Sequence, residues 1–242
     1  MAQEFTFTVN GVEHTTTENK PLLRYLRDDL HIHSAKDGCS EGACGTCTVI
    51  IDGKAVKACV QKISNLDGKS VITAEGLSER EKQVYSYAFS EAGAVQCGFC
   101  IPGMVMCAKA LIDKNPSPSP EDVKYAIKNN LCRCTGYKKI EEAILLAAEI
   151  IRENREMTNP VSTGLLGESM NRVDASAKAL GEAKYADDFY MDGMVYGSAL
   201  RSEYPRAEIL SIDKSEAESM DGVLCVMTAE DIPGTQKVGH LK

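Results

Sequence analysis

The sequence predicts an α+β chain built in three successive styles, and three observations carry that reading. Two hairpin signals, Asn10-Gly11 and Asp52-Gly53, each sit between short apolar runs within residues 1–76. From 77 to 155 the apolar residues recur at helical spacing instead. Past a polar stretch at 156–168, short apolar runs of strand length return. The expected architecture is a small mixed sheet (1–76), a four-helix bundle (77–155), a linker (156–168) and an incomplete α/β fragment (169–242).

In order, residues 4–9 alternate, with Phe5, Phe7 and Val9 on one face, and Val12 to Thr17 returns as the partner strand. Pro21 suits a first helical turn, and Leu22, Leu23, Leu26 and Leu30 share one helical face. Thr48–Ile51 and Ala55–Val60 read as a second hairpin, which would place Cys59 on a strand, and Val71–Thr73 closes the sheet. Ser78 to Glu81 has the form of a capping box, followed by the stripe Val84, Tyr85, Ala88, Phe89 and Ala92, with Gly93 able to end the helix. Pro102 to Leu111 is apolar nearly all round and is expected to be buried on most sides. After a proline-punctuated loop, Ser119-Pro120-Glu121-Asp122 opens a helix whose apolar face is Val123, Ala126, Ile127 and Leu131. A fourth helix runs from Ile140 to Ile151. In the last part, Met194–Leu200, Ile209–Ile212 and Val223–Thr228 have strand character, with a helix expected over Ser215–Met220.

Composition bounds function. At 242 residues the chain has material for two or three units. A net charge of −8 argues against nucleic acid or an anionic membrane surface, which would favour a basic patch. No apolar run approaches the length of a membrane span. The N-terminal Met-Ala-Gln-Glu-Phe-Thr lacks the basic and apolar regions of a signal peptide. Ten cysteines without such a signal point to a reducing, cytoplasmic setting and to metal chemistry.

The cysteines fall in two groups. Cys39-x4-Cys44-x2-Cys47, completed by Cys59, is the plant-type [2Fe–2S] ligand spacing. Such a group needs four thiolates, two per iron. The interleaved Gly38, Gly42 and Gly45 let backbone N–H groups curl towards the sulfurs. A disulfide framework is the alternative, but Cys44 and Cys47 are poorly placed for separate bridges. The second group, Cys97-x2-Cys100 with Cys132-x-Cys134, is ambiguous by itself, since structural zinc and iron–sulfur both use four thiolates. Cys107 and Cys225 read as buried small hydrophobes, and Met104 and Met106 as core filler. The four histidines show no pairing that suggests a metal or catalytic site. No catalytic triad and no phosphate-cradling glycine motif is present.

Taken together, the first cysteine group, Gln96-Cys97-Gly98-Phe99-Cys100-Ile101-Pro102-Gly103-Met104 and Leu131-Cys132-Arg133-Cys134-Thr135-Gly136-Tyr137 resemble the iron–sulfur part of the xanthine dehydrogenase/aldehyde oxidase molybdenum hydroxylases over about residues 1–155. The resemblance implies a ferredoxin-like β-grasp domain followed by a four-helix bundle, each binding one [2Fe–2S] cluster. It assigns Cys39, Cys44, Cys47 and Cys59 to one cluster and Cys97, Cys100, Cys132 and Cys134 to the other. It further implies that Gln96 and Cys134 touch the pterin of a molybdenum cofactor.

Past the linker, Arg172-Val173-Asp174, Lys178-x2-Gly181-x-Ala183-x-Tyr185, Arg201-Ser202, Pro205-x-Ala207-x-Ile209-x2-Ile212-Asp213 and Thr228-x2-Asp231-Ile232-Pro233-Gly234 are similar to the opening of the family's molybdopterin-binding part, its α/β hammerhead domain. Arg206 departs from the histidine usual there. The family's FAD domain is not between the two parts, so FAD is expected on a partner subunit. The molybdenum contacts and catalytic residues are expected outside residues 1–242. The implied function is an electron-transfer component of a hetero-oligomeric molybdenum hydroxylase. A free-standing two-cluster carrier, a split or truncated molybdenum-binding subunit and a zinc-stabilised binding module are the alternatives.

Overall fold

The computed structural model describes residues 3–158, 163–168 and 170–235. The chain divides into two compact units, Met1–Tyr190 and Met191–Lys242.

In the first unit, β1 (Phe5–Val9) and β2 (Val12–Thr16) pair antiparallel around Asn10-Gly11. The second hairpin, β3 (Thr48–Ile51) and β4 (Lys54–Lys57), turns at Asp52-Gly53. All four turn residues have positive φ, the geometry of the tight hairpin turns that Asn-Gly and Asp-Gly favour. β5 (Ser70–Ile72) pairs parallel to β1 and antiparallel to β3, giving the sheet order β2-β1-β5-β3-β4. α1 (Leu22–Arg24) continues as a wider π-type turn over Tyr25–Asp29. It buries Leu22, Leu23 and Leu26 against one face of the sheet with Phe5, Phe7, Val9, Val49 and Val71. Each leucine there contributes about 1.5–3 kcal/mol of hydrophobic stabilisation.

Four helices come next: α2 (Glu79–Glu91), α3 (Ile101–Lys114), α4 (Pro120–Ile127) and α5 (Lys138–Glu153). The Ser78–Glu81 capping box forms in both directions, Glu81 N–H donating to Ser78 Oγ at 3.3 Å and Ser78 N–H to Glu81 Oε2 at 2.8 Å. Ser119 and Asp122 cap α4 in the same way. α2 packs on α5 and α3 on α4, while α3 also lies on β3. β3 therefore reads Thr-Val-Ile-Ile without alternation because both its faces are covered: Val49 and Ile51 enter the sheet core, and Ile50 enters the helical one. Met104, Met106 and Cys107 are buried as expected.

Three local expectations change. Cys59 lies on a 3-10 turn, Ala58–Val60, because β4 ends at Lys57 and the chain bends inward. α4 stops at Ile127, so Leu131 leaves the apolar face and is exposed. The expected linker falls partly outside the described residues, and the segment beyond it packs within the first unit. α6 (Ala175–Ala179) lies against α2 and α3, and Ala175, Ala179 and Leu180 join the helical core.

In the second unit, α7 (Ser215–Ser219) forms where a helix was expected, and Lys214 Nζ donates to the Val226 carbonyl at 3.3 Å. Met194–Leu200, Ile209–Ile212 and Val223–Thr228 form no strand among the described residues. Strand patterning is realised only when a neighbouring strand takes up the backbone groups, and none does so here. Cys225 is correspondingly exposed, not buried.

Candidate metal centres

The eight cysteines singled out by spacing gather in two places. Cys39 and Cys44 are half-buried, and Cys47 and Cys59 are buried beneath them. Cys44 N–H donates to Cys39 Sγ at 3.4 Å, and Lys57 Nζ donates to the Gly42 carbonyl at 2.6 Å, bracing the loop. Gly45, at φ +71°, is required by close approach: a Cβ there would stand 2.3 Å from the Asn129 carbonyl oxygen. The second place is the turn before α3 together with the loop after α4. Cys100 and Cys132 are buried while Cys97 and Cys134 are exposed, and Gln96 is exposed beside Cys97.

The thiol acidities reflect these surroundings. The Cys44 N–H, then that of Glu41, draws the Cys39 thiol down to about 7. Burial pushes Cys47 up to about 12, with the neighbouring Cys59 thiol adding to the shift. Burial likewise raises Cys100, helped by the charge of Cys132. At Cys132 burial opposes ionisation, but the Thr135 hydroxyl and the N–H groups of Cys134 and Thr135 together outweigh it and lower the thiol. A hydrogen bond shared with Cys97 raises Cys134.

Within each set the thiols shift one another's acidities, Cys39 with Cys44, Cys47 with Cys59 and Cys44, Cys100 with Cys132 and Cys97, and Cys134 with Cys97. Among the described residues no three His, Cys, Asp or Glu side chains converge tightly enough to hold one ion between them. A two-iron group takes two thiolates per iron, and the four thiols of each set meet that need.

The two sets are joined. Leu131 N–H donates to the Cys44 carbonyl at 2.8 Å, so one backbone hydrogen bond links a cysteine of the first set to the residue preceding Cys132 of the second. Asn130, 3% exposed, reinforces the junction. Its amide donates to the Gly45 carbonyl at 2.9 Å and to Thr48 Oγ1 at 3.3 Å, and it accepts from Cys107 Sγ at 3.2 Å. Tyr137 Oη then accepts from Cys132 N–H at 2.9 Å and donates to the Asn130 carbonyl at 3.1 Å.

Sequence spacing did not mark a further group. Residues 172–190 form a strap across the first unit. The Asp188 carboxylate, 3% exposed, is clamped between Arg27 at 2.8 Å and Lys36 at 2.9 Å, and Arg27 holds it down to about 2 against the cost of burial. Lys36 lies three residues before Cys39, and its ammonium also sits over the Tyr185 ring at 4.9 Å. Nothing local identifies these residues, since the partners are more than 150 positions apart in the chain.

The chain resembles known proteins over nearly its whole length. Family models match as a 2Fe-2S iron-sulfur cluster binding domain over 6–84, a [2Fe-2S] binding domain over 73–145, and the aldehyde oxidase and xanthine dehydrogenase a/b hammerhead domain over 180–241. The nicotinate dehydrogenase small FeS subunit of Eubacterium barkeri is 50% identical over 135 residues, covering 55% of this chain and 86% of that protein. The aldehyde oxidoreductase of Megalodesulfovibrio gigas is 36% identical over 97% of this chain, which spans 27% of that relative. The crystal structure of the aldehyde oxidoreductase from Desulfovibrio desulfuricans superposes with a TM-score of 0.86 at 37% identity, covering 96% of this chain and 27% of that one. The chain belongs to the xanthine dehydrogenase/aldehyde oxidase family of molybdenum hydroxylases, carrying its two [2Fe–2S]-binding domains and a hammerhead segment.

Proposed function

We propose that this chain is the electron-relay component of a molybdenum hydroxylase. In this reading Cys39, Cys44, Cys47 and Cys59 hold one [2Fe–2S] cluster in a β-grasp domain (1–76). Cys97, Cys100, Cys132 and Cys134 hold the second in a four-helix bundle (77–155). When bound, each cluster supplies one-electron storage. The chain's residues do the rest. Loop amides and threonine hydroxyls stabilise the thiolates, Cys47, Cys59, Cys100 and Cys132 keep water from one side of each group, and the four thiols of each set supply two per iron. The observation that carries the reading is the Leu131 N–H to Cys44 carbonyl bond, which supports a short through-bond path between the two sets.

The exposed edge formed by Gln96, Cys97 and Cys134 is where a pterin-bearing subunit would meet the second set. We assign Gln96 and Cys134 the pterin contacts, place FAD on a separate partner, and expect a hetero-oligomer in the cytoplasm. The relatives named as small FeS subunits of dehydrogenases support a multi-subunit assembly. Isolation of the native assembly tests this. A co-purifying molybdenum- and pterin-containing chain is expected, and a native chain that carries iron and sulfide but never associates with pterin would reduce the protein to a free-standing carrier.

A further inference from the structure

The strap lays a positive end over the backbone of the Cys97–Cys100 turn. The aliphatic stem of Lys178 occupies the space over Gly98, whose Cβ would meet Lys178 Cβ at 2.7 Å and its Cγ and Cδ at 2.8 Å. Lys178 Nζ donates to the Gln96 carbonyl at 3.4 Å and pairs with Asp174 at 2.9 Å, its side chain only 14% exposed. Arg172 shares that same carboxylate. Two cations against one carboxylate leave this end of the strap with one net positive charge beside the Cys97–Cys100 turn. Tyr185 completes the cover, donating to the Cys97 carbonyl at 2.7 Å with its ring edge-on to Phe99.

We propose that Lys178 is a positioning residue that sets the reduction potential of the second cluster through its charge, holding it above the value the same four thiolates would give alone. The inference rests on Cys97, Cys100, Cys132 and Cys134 being cluster ligands. Reduction adds one electron, supplied in the native assembly by the molybdenum site, and so one negative charge to a group already anionic. A fixed ammonium that is little exposed is weakly screened and stabilises the reduced form more than the oxidised one. Lys178 contacts Gly98, the Gln96 carbonyl and Asp174, all on the side of the second set.

The test is an EPR-monitored redox titration of the full chain with both clusters reconstituted anaerobically, the two signals assigned with a Cys59→Ser variant that perturbs the first. Lys178→Met keeps the stem on Gly98 and removes the charge. The reduced-to-oxidised ratio of the second cluster at fixed potential should fall on the order of tenfold, 59 mV for a one-electron couple, with the first unmoved. Lys178→Arg should stay near the parent, and Asp174→Asn, which frees the lysine from its counter-ion, should raise the second potential. If the second potential is unchanged in both Lys178→Met and Asp174→Asn, or if the two clusters shift together, the inference is overturned. Should Lys178→Met fail to assemble the second cluster, the Asp174→Asn and Lys178→Arg titrations decide by the same criterion. A parent chain without two-iron signals would instead overturn the cluster reading itself.

Discussion

At the scale of single residues, the thiols and glycines of the two loops carry consequences that can be measured on the metal-free chain. Cys47 holds its proton up to about 12 when folded, against an ordinary value of 9.0. A proton held more tightly in the folded state stabilises it fully below the unfolded value and is lost as pH rises through the folded one. The Cys47 contribution to the denaturation midpoint of the apo chain should therefore be constant below about pH 9 and be lost from there towards 12, so Cys47→Ala should flatten the fall above pH 9. Cluster loading must displace the same protons, so reconstitution is expected to be more complete at pH 8 than at pH 6. Gly45→Ala places a methyl group against the Asn129 carbonyl at a positive φ. It should cost about 1–3 kcal/mol and deplete iron from the first set in preference to the second, as read by thermal melting and metal analysis. Spacing alone marked all eight cysteines and the interleaved glycines as candidates, leaving the metal of the second four open, because such motifs are local in the chain. Asn130 was not marked, since an asparagine near the end of a helix carries no sign of the three partners it meets in the fold.

At the scale of elements, hairpins, helices and caps obeyed their local signals closely. Asn10-Gly11, Asp52-Gly53 and Ser78–Glu81 act through bonds a few residues long, so tertiary context had little to override. The strap is the contrasting case. Its fixture is Asp188 between Arg27 and Lys36, three charges buried together that are scattered along the chain. Asp188→Asn would leave the buried Lys36 without its anion and Arg27 with only the exposed Asp187 at 3.3 Å as counter-ion, at a cost of about 3–5 kcal/mol, and should open residues 172–190 to limited proteolysis. Asp187→Asn, at a side chain 77% exposed, should change neither stability nor cleavage appreciably. Asp188 is held down to about 2, so its contribution is present above the unfolded carboxylate value near 4 and is lost as pH falls towards 2. The strand-like stretches of the second unit show the opposite limit of local patterning. Val223–Thr228 has the residues of a strand but forms no ladder among the described residues, because the partner decides.

At the scale of the molecule, the sheet and the helices are fused through β3, with one face in each core, and through the Cys44–Leu131 bond. Rigid coupling of the two thiol sets is what a relay requires, since a change in their separation would change the rate of electron exchange. Leu131→Pro deletes the N–H that reaches the Cys44 carbonyl while altering a side chain that is exposed. Both clusters should still assemble, but exchange between them should slow relative to Leu131→Ala when monitored after rapid one-electron reduction. Equal rates in the two variants would move the path elsewhere.

The most direct measurement is iron, zinc and acid-labile sulfide analysis of anaerobically reconstituted chain, with EPR after dithionite reduction. About four irons and four sulfides per chain with two distinct two-iron signals are expected. Two irons with one zinc, or a single signal, would contradict the assignment of the second thiol set.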